Sequence, residues 1–309
     1  MIVTLAGGVG AARFLKGLCL VRSPEDLIAV INTADDAVLH GLHISPDIDT
    51  VTYSLAGIDN PETGWGLVGE TWNVMESLDF LGGNTWFQLG DKDLGTHLYR
   101  TSRLTEGASL TTITSEVSSR LGIKVKLLPM TDDRVSTFVT LASSGEEVSF
   151  QEYFVKAKHS VAISDVRFDG AEVSHPGPDV VESILGAEKI VIAPSNPLVS
   201  IGPVMAVSEI FSAVQSRQES TVAISPIVGG LALKGPADRM MRELGHEPSV
   251  VGVAHLYKDF VGTLVIDNAD EAHQKTIEAL GIRCVVTDTV MRSPAISASL
   301  ASTVLNLES

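Results

Sequence analysis

Two aspartates separated by one residue form the first group in this chain that could do chemistry. Asp47 and Asp49 lie in the run Ser45-Pro-Asp-Ile-Asp-Thr50. In an extended segment alternate side chains share a face, so both carboxylates could serve one hard cation or one reacting hydroxyl. The structural alternative is that Asp49 caps a helix that starts near Thr50. The spacing alone leaves both interpretations open.

A second pair of aspartates repeats the pattern around a lysine. Asp91 and Asp93 flank Lys92, and a helical pattern follows from Leu94. Alternation again predicts that the two carboxylates share a face, with Lys92 projecting between them. The alternative is a turn followed by a helix N-cap. His97 is interpreted as a histidine on the helix surface, and no catalytic role is assigned to it.

Glycines near the N-terminus predict a site for a phosphate group. An apolar run at residues 1–6 breaks into Gly7, Gly8 and Gly10 and continues as a helical pattern. Glycines let the backbone approach a ligand closely, and the N-terminus of a helix attracts anions. The dinucleotide fingerprint is incomplete, because Arg13 stands where its third glycine belongs, and the Lys-Ser/Thr ending of a P-loop is absent. A plain tight turn at the sheet edge is the alternative.

Polar residues also follow two other predicted strands. Asp36 comes after the strand at 27–31, and Ser195 and Asn196 follow the strand at 190–193. Open α/β sheets bind ligands in loops at the carboxyl ends of their strands. Hydroxyl, amide and backbone donors suit a phosphate or a base edge. These loops could be purely structural, but beside the glycine-rich opening they favour a nucleotide-binding crevice.

Short apolar strands alternate with amphipathic helices along the chain. Strands are predicted at residues 1–6, 27–31, 125–128, 190–193, 221–224, 264–266 and 283–286. Helices are predicted at residues 179–185, 204–214, 237–244, 271–280 and 293–305. This alternation predicts an α/β fold with a doubly wound, mainly parallel sheet.

Two stretches interrupt the alternation of strands and helices. Residues 65–122 are mostly helical in pattern and predict a helical insertion that sits on the sheet. Residues 136–157 contain period-2 runs around Ser143-Ser-Gly-Glu146, which predict a β-hairpin. Because no repeat or unstructured linker is visible, we expect residues 1–309 to form a single domain with this insertion.

The composition argues against several classes of partner. With 22 basic and 38 acidic residues among 309, the formal net charge is −16, so we expect neither a nucleic-acid nor an anionic-membrane partner. Cys19 and Cys284 alone provide no disulfide framework and no cysteine metal motif. The uncharged stretch at 190–208 contains three prolines and fits a strand and loop better than a membrane span. Without a basic leader sequence, we expect a cytoplasmic protein.

Seven motifs, in order along nearly the whole chain, resemble the motif series of the 2-phospho-L-lactate transferases. They are Ala6-Gly-Gly-Val-Gly10, Asn32-Thr-Ala-Asp-Asp36, Ile44-Ser-Pro-Asp-Ile-Asp-Thr50, Leu89-Gly-Asp-Lys-Asp93, Leu128-Pro-Met-Thr-Asp-Asp133, Pro194-Ser-Asn-Pro-Leu-Val-Ser-Ile-Gly202 and Ser225-Pro-Ile-Val-Gly229. Seven motifs in one order are far more specific than any one of them.

The resemblance implies a Rossmann-like fold and a transfer step in the biosynthesis of the deazaflavin coenzyme F-420. The donor would be a guanosine diphosphate conjugate of a phospho-three-carbon acid. The acceptor would be the terminal ribityl hydroxyl of 7,8-didemethyl-8-hydroxy-5-deazariboflavin (Fo), and GMP would leave. Magnesium (Mg²⁺) as cofactor and a homodimer are also implied. Phosphoryl transfer needs positioning and charge neutralisation more than a covalent nucleophile, and Mg²⁺ held by carboxylates supplies both.

The resemblance also implies roles for individual residues. Catalytic roles fall to Asp49, Asp47 and Lys92. The donor nucleotide would be held by Gly7, Gly8, Gly10, Asp36, Ser195 and Asn196. The metal ligands would be Asp49, Asp36 and Asp91. Relatives carry arginine at the position of Lys92, so a forked donor is replaced here by a point charge.

Two other classes of function remain possible from the residues alone. A nicotinamide-dependent oxidoreductase would use the same opening turn, with Asp35 or Asp36 on the ribose. The incomplete fingerprint and the aspartate-rich loops argue against it. A non-catalytic nucleotide-binding protein would leave the aspartates as helix caps. No single motif distinguishes phospholactate, phosphoenolpyruvate and phosphoglycerate as the transferred acid.

Overall fold

The computed structural model describes residues 1–307. Its strands are β1 (Ile2–Ala6), β2 (Leu27–Ile31), β3 (Ala37–Leu39), β4 (Leu42–Ile44), β5 (Lys126–Pro129), β6 (Ser136–Leu141), β7 (Glu147–Ser149), β8 (Ile163–Asp169), β9 (Lys189–Ile192), β10 (Thr221–Ile224), β11 (Ile227–Val228), β12 (Leu231–Ala232), β13 (Thr263–Asp267) and β14 (Arg283–Thr287). Its α-helices are α1 (Gly8–Cys19), α2 (Pro46–Ala56), α3 (Asn73–Phe80), α4 (Asp93–Thr105), α5 (Leu110–Arg120), α6 (Val180–Leu185), α7 (Gly202–Ala206), α8 (Ser208–Ser216), α9 (Ala237–Glu243), α10 (Val250–Tyr257), α11 (Gln274–Glu278) and α12 (Pro294–Leu305).

A seven-stranded parallel sheet forms the centre of the molecule. Its strand order is β5-β2-β1-β9-β10-β13-β14. The first six strands repeat the Rossmann order 3-2-1-4-5-6, and β14 adds a seventh at the edge. The predicted Rossmann-like, doubly wound fold is therefore confirmed.

The sheet is covered on both faces by helices. Along β1, Ile2 and Ala6 join an apolar cluster with α1 and α12, whereas Val3 and Leu5 join a cluster with α6, α8 and α10. Alternate residues of a strand point to opposite faces, so these two clusters are the two layers of the core. The near-continuous apolar composition of the central strands follows from this burial on both sides.

The segment between β2 and β5 leaves the sheet and returns to it. It contains the β3–β4 hairpin and helices α2 to α5. A small apolar cluster holds it together, with Ile44, Met75, Leu89 and Leu94 buried in it. The turn before α4 and the start of α2 are thereby fixed relative to each other.

The predicted β-hairpin is present but shorter than its sequence pattern. β6 pairs antiparallel with β7, and β8 adds a third strand on the other side of β6. The second period-2 run ends at Ser149, because residues Glu152–Lys156 form a π-helical turn instead of continuing the strand.

Two helical predictions need correction. The helix predicted at 204–214 is two helices, α7 and α8, broken at Val207, whose φ of −77° and ψ of 108° are extended. The helix predicted at 271–280 is only the short helix α11, because residues Asn268–His273 form a 3-10 helical turn before it. The helix α10 was not predicted from the sequence. Within residues 1–307, no single helix is long and apolar enough to cross a membrane. One pair of consecutive helical segments is long and apolar enough only when its two members are taken together, and a bend of 96° separates them: Pro197–Ala206 and Ser208–Ser216.

Candidate active site

A cavity of about 780 Å³ opens where the strand order reverses. β1 and β9 are adjacent parallel strands, and the loops that follow both line this cavity. Ligands bind at this switch point in open α/β sheets. The volume lies within the range of about 300–1,000 Å³ that is usual for small-molecule sites.

The loop after β1 is shaped by its glycines. Gly8 has a φ of +68°, which favours glycine. A Cβ on Gly7 would lie 2.6 Å from the Cβ of Ser200 and 2.9 Å from a carboxylate oxygen of Asp47. The hydroxyl of Ser195 donates to the carbonyl of Gly7 at 2.8 Å. Ser195 thus ties the loops after β1 and β9 together in the wall of the predicted nucleotide crevice.

Glycine at position 10 is required by the packing of α1 on a neighbouring loop. A Cβ there would lie 2.1 Å from the carbonyl oxygen of Pro194. This contact is a structural reason for glycine at position 10, in addition to the predicted close approach of a ligand. Gly10 lets α1 pack directly on the loop after β9, although it also lines the cavity.

Asn196 lines the cavity and shapes its own loop. Its Oδ1 accepts hydrogen bonds from the backbone N–H groups of Leu198 at 2.9 Å and Val199 at 3.4 Å. Its Nδ2 lies 3.6 Å from the sulfur of Met240. The side chain caps the π-helical turn Pro197–Ile201, so its oxygen is already engaged by the backbone.

Asp47 and Asp49 both line the cavity, but neither sequence interpretation of their backbone is correct. Both lie in the first turn of α2, which begins at Pro46 with Ser45 as its N-cap. The segment is not extended, and Asp49 does not cap a helix that starts near Thr50. Carboxylates are favoured in the first turn because of the helix dipole, and both are buried, with 8% and 6% exposure.

Three polar residues of α4 face Asp49. Asp93, His97 and Arg100 are spaced by four and three residues, so they lie on one side of the helix. His97 is 1% exposed and Arg100 is 3% exposed. The interpretation of His97 as a surface histidine is wrong, because this side of α4 packs against the start of α2.

The carboxylates of Asp49 and Asp93 and the ring of His97 form a compact group that could hold a metal ion. Nε2 of His97 lies 3.2 Å from Oδ2 of Asp93, and Nδ1 lies 3.7 Å from Oδ2 of Asp49. Tyr53 donates its hydroxyl to Oδ1 of Asp93 at 2.6 Å. Among the described residues, the buried Oδ2 of Asp49 has no hydrogen-bond partner.

Arg100 contacts the oxygen of Asp49 that does not face His97. Its guanidinium donates to Oδ1 of Asp49. Although burial alone would raise the pKa of Asp93, contact with the His97 ring, the hydrogen bond from Tyr53 and the charge of Arg100 hold it below its usual value. Burial would likewise lower the pKa of Arg100, but the charge of Asp49 raises it. Both groups therefore stay ionised.

Other carboxylates crowd the same region. Asp35 has its pKa raised well above the usual value by burial and by the charge of Asp47. Burial also raises the pKa of Asp36, against a 2.6 Å hydrogen bond from Ser45. Burial raises the pKa of Asp47 to about 6, and the hydrogen bond from Asn32 opposes it. This concentration of negative charge favours a bound cation.

Asp91 and Lys92 lie apart from this group. The carboxylate of Asp91 accepts hydrogen bonds from Thr71 at 2.6 Å and from the backbone of Asn73 and Val74 at 3.1 Å each, so it caps α3. These bonds lower the pKa of Asp91 to about 2, with Thr71 the largest cause. The predicted common face of Asp91 and Asp93 is therefore wrong.

Lys92 is the last residue before α4 and does not project between two carboxylates. Its Nζ donates to the carbonyl of Val68 at 3.0 Å. Neither Lys92 nor Asp91 lines the cavity, whereas Asp93 does, because α4 starts at Asp93 and turns its side chain inward.

The cavity also presents cations and aromatic rings. Arg13, Lys234 and Arg292 supply positive charge, which the acidic total of the chain does not suggest. The aromatic lining includes Trp65, Trp86, Phe87, Phe150 and Phe154, with the last two rings stacked at 5.2 Å. Anionic and planar aromatic ligands both match parts of this lining.

Sequence reasoning missed His97 and Arg100 as members of the site. The signal was present in the spacing, since Asp93, His97 and Arg100 recur at helical intervals on one face. It was not decisive, because charged residues at these intervals are also common on solvent-exposed helix faces.

Known proteins resemble this chain along its length. The family described as "2-phospho-L-lactate transferase CofD" matches residues 2–302. A phosphoenolpyruvate transferase of Kitasatospora aureofaciens is 42% identical over 311 residues, covering 99% of this chain and 97% of that protein. A 2-phospho-L-lactate transferase of Methanopyrus kandleri is 37% identical over 310 residues, covering 99% and 97%.

A solved structure agrees with the fold. A UPF0052-family protein from Bacillus halodurans superposes with a TM-score of 0.61 at 18% identity, covering 99% of this chain and 98% of that one. At this identity the similarity supports the architecture alone.

Proposed function

The chain belongs to the 2-phospho-L-lactate transferase CofD family, and from that premise we propose the reaction that its cavity performs. A phospho-three-carbon-acid group is transferred from its guanosine diphosphate conjugate to the terminal ribityl hydroxyl of Fo, and GMP is released. The family membership makes the chain a transferase. The identity of donor, acceptor and metal is the proposal.

One observation carries the proposal most directly. A glycine-rich strand-to-helix turn and a buried carboxylate with an unpartnered oxygen, Asp49, line the same cavity. The turn suits a diphosphate, because backbone N–H groups at the start of α1 attract anions. The carboxylate suits a hydroxyl acceptor or a cation that neutralises the diphosphate.

The proposed transfer is a single in-line displacement. The acceptor hydroxyl oxygen forms a bond to the phosphorus that bears the three-carbon acid. The bond between that phosphorus and the oxygen bridging to the guanosine phosphate breaks, and GMP leaves with that oxygen. The hydroxyl proton passes to a carboxylate, for which Asp49 and Asp47 are the candidates. No covalent enzyme intermediate is required.

The residues present fit Mg²⁺ as the cofactor. Asp49 and Asp93 would hold it, since Mg²⁺ prefers carboxylate oxygens and water, and the unpartnered Oδ2 of Asp49 provides a free ligand atom. When bound, Mg²⁺ would neutralise charge on the phosphates. Asp36 stays a candidate ligand, because its buried Oδ1 also lacks a partner among residues 1–307. Asp91 would need to leave its position as the cap of α3 to contribute.

The lining supports one orientation of the two substrates. Backbone at Gly7, Gly8 and Gly10 would hold the donor phosphates, and Asn196 would border the nucleotide. The aromatic rings, Phe150 and Phe154 among them, would contact the planar deazaflavin. Asp49 lines the same cavity and would meet the reacting hydroxyl.

The transferred acid and the assembly complete the proposal. Relatives that are 39–42% identical are named phosphoenolpyruvate transferases, so the phosphoenolpyruvyl conjugate is the preferred candidate over phospholactate and phosphoglycerate. From the family resemblance the enzyme would act as a homodimer in the cytoplasm.

Binding titrations test the proposed site against the alternatives. GDP and NAD are titrated separately by calorimetry, each with and without Mg²⁺. We expect GDP to bind, more tightly with Mg²⁺, and NAD to bind weakly or not at all. Tight NAD binding that is independent of Mg²⁺ would favour the oxidoreductase alternative. GDP binding without any turnover on Fo and the three guanylylated acids would favour the non-catalytic alternative.

A further inference from the structure

Arg100 is buried behind the carboxylate group and makes three contacts there. One terminal nitrogen lies 3.2 Å from Nδ1 of His97 and donates to the carbonyl of His43, also at 3.2 Å. The other terminal nitrogen donates to Oδ1 of Asp49. The side chain is therefore held in one position by acceptors on α2, on α4 and on β4.

The contact with Arg100 determines which nitrogen of the His97 ring accepts a hydrogen bond. A guanidinium has only donors, so the Nδ1 atom that it approaches must accept with its lone pair. A neutral imidazole that accepts at Nδ1 carries its proton on Nε2. Nε2 lies 3.2 Å from Oδ2 of Asp93, although the N–H group is not well aligned for a hydrogen bond.

This tautomer removes both ring nitrogens as metal ligands. The lone pair of Nδ1 is directed at Arg100, and Nε2 carries the proton. A metal ion could reach a lone pair of the ring only if Arg100 moved away from Nδ1. His97 therefore stands within the Asp49, Asp93 and His97 group without offering it a ligand atom.

Resting on the proposed Mg²⁺ role of this site, we propose that Arg100 is a positioning residue that makes it a carboxylate-only cation site. Arg100 occupies Oδ1 of Asp49 and Nδ1 of His97, so that Oδ2 of Asp49 and the carboxylate of Asp93 remain for the metal. Oxygen ligands suit Mg²⁺ and Mn²⁺, whereas an imidazole nitrogen would favour Zn²⁺. The arginine thus excludes the softer metals by masking a nitrogen.

The first test reads the tautomer of the wild-type ring. Nitrogen-15 NMR of ring-labelled histidine is recorded on the full chain without substrates, and the His97 signals are assigned by their loss in His97→Asn. We expect the neutral Nε2–H tautomer, unchanged when Mg²⁺ is added. The Nδ1–H tautomer, or an Nε2 signal that moves to a metal-bound position with Mg²⁺, would overturn the proposal.

The second test measures metal preference at this site. Mn²⁺ is bound and followed by electron paramagnetic resonance, and Mg²⁺ and Zn²⁺ are used to displace it, so only competition at this site is counted. We expect the ratio of Zn²⁺ to Mg²⁺ affinity to change little in His97→Asn. The ring binds neither metal in the wild-type protein, so its loss should affect the two affinities to a similar extent. In Arg100→Met the ratio should rise about tenfold or more, since the imidazole is freed.

The double variant Arg100→Met/His97→Asn is the matched control. It should return the ratio to the wild-type value, because the gain depends on the freed ring. A wild-type ratio that falls in His97→Asn would contradict the proposal, as would an unchanged ratio in a folded Arg100→Met. If Arg100→Met does not fold, the NMR experiment and His97→Asn still decide. No substrate is used, so failure here is separate from failure of the proposed transfer.

Discussion

At the scale of single residues, Asp49 is the position where a catalytic and a structural explanation differ most. Ser45 rather than Asp49 is the N-cap of α2, so capping does not explain the buried carboxylate. Its Oδ1 is held by Arg100, and its Oδ2 remains free within the described part of the chain. A carboxylate held by one oxygen and free at the other is suited to bind a cation or accept a proton.

Asp49→Asn should lower kcat by roughly a hundredfold or more, the usual scale for losing a charged catalytic group. Asparagine keeps the shape but removes the charge, so GDP binding should remain measurable. Steady-state kinetics and calorimetry on one preparation test this. Asp169→Asn, at an exposed carboxylate of β8, is the matched control. Near-normal turnover in Asp49→Asn would move the catalytic assignment to Asp47 or Asp93.

Asn196→Ala should raise the KM for the guanylylated donor more than the KM for Fo. It removes the oxygen that caps the turn Pro197–Ile201, so the loop that borders the donor site loses its shape, at a cost of about 1 kcal/mol in stability. Ser249→Ala removes an equivalent two-bond cap at α10 and controls for stability alone. A rise confined to the KM for Fo would show that the loop serves the acceptor.

Sequence patterns identify site residues only where the local backbone is regular enough to place them. Asp47 and Asp49 both line the cavity, although their predicted backbone conformation is wrong. Arg100 was missed because its contacts with Asp49 and His43 join residues that are 51 and 57 positions apart. Such long-range pairing is determined by packing of α4 on α2, which no local pattern reports.

At the scale of elements, strands of the central sheet were the most predictable part. β2, β9, β10 and β13 are compact apolar runs because both of their faces are buried. β8 has exposed and half-buried positions and lies in the separate antiparallel sheet, so its apolar signal is weak. The break between α7 and α8 was invisible because apolar residues continue through it.

Gly10→Ala should lower the melting temperature, because the new Cβ would lie 2.1 Å from the Pro194 carbonyl and force α1 away from the loop after β9. Any loss of GDP binding in this variant should then result from the loss of stability. Gly95→Ala is the control: this exposed glycine of α4 has open space around a Cβ, and alanine there should stabilise the helix by up to about 1 kcal/mol. Calorimetric melting of both variants tests the contrast, and an unchanged melting temperature in Gly10→Ala would contradict it.

At the scale of the whole molecule, the acidic character of the chain and the cavity belong together. A net charge of −16 would repel a guanylylated donor, yet buried carboxylates with raised pKa values are concentrated at its proposed site. A bound cation at this position offsets the repulsion among the carboxylates and between them and the phosphates. The carboxylates therefore supply the ligands of the proposed site, and the cation supplies the positive charge that the donor phosphates require.

Saturating Mg²⁺ should therefore raise the melting temperature by roughly 4 °C, as expected for a chain of this length and a ligand at about a hundred times its Kd. The increase should be largely lost in Asp49→Asn. Because salt also screens a highly charged chain, NaCl at matched ionic strength is the reference. An equal increase with NaCl would mean that screening, not a specific site, is responsible.

The proposed transfer itself is tested most directly by weighing its products. The protein is incubated with Mg²⁺, Fo and guanylylated phosphoenolpyruvate, phospholactate or phosphoglycerate in separate reactions, and the mixtures are analysed by mass spectrometry. We expect a deazaflavin product joined to the acid through one phosphodiester, with one equivalent of GMP, formed fastest from the phosphoenolpyruvate conjugate. GMP release without a new deazaflavin product, or no reaction with any of the three donors by a folded protein that binds GDP, would contradict the account.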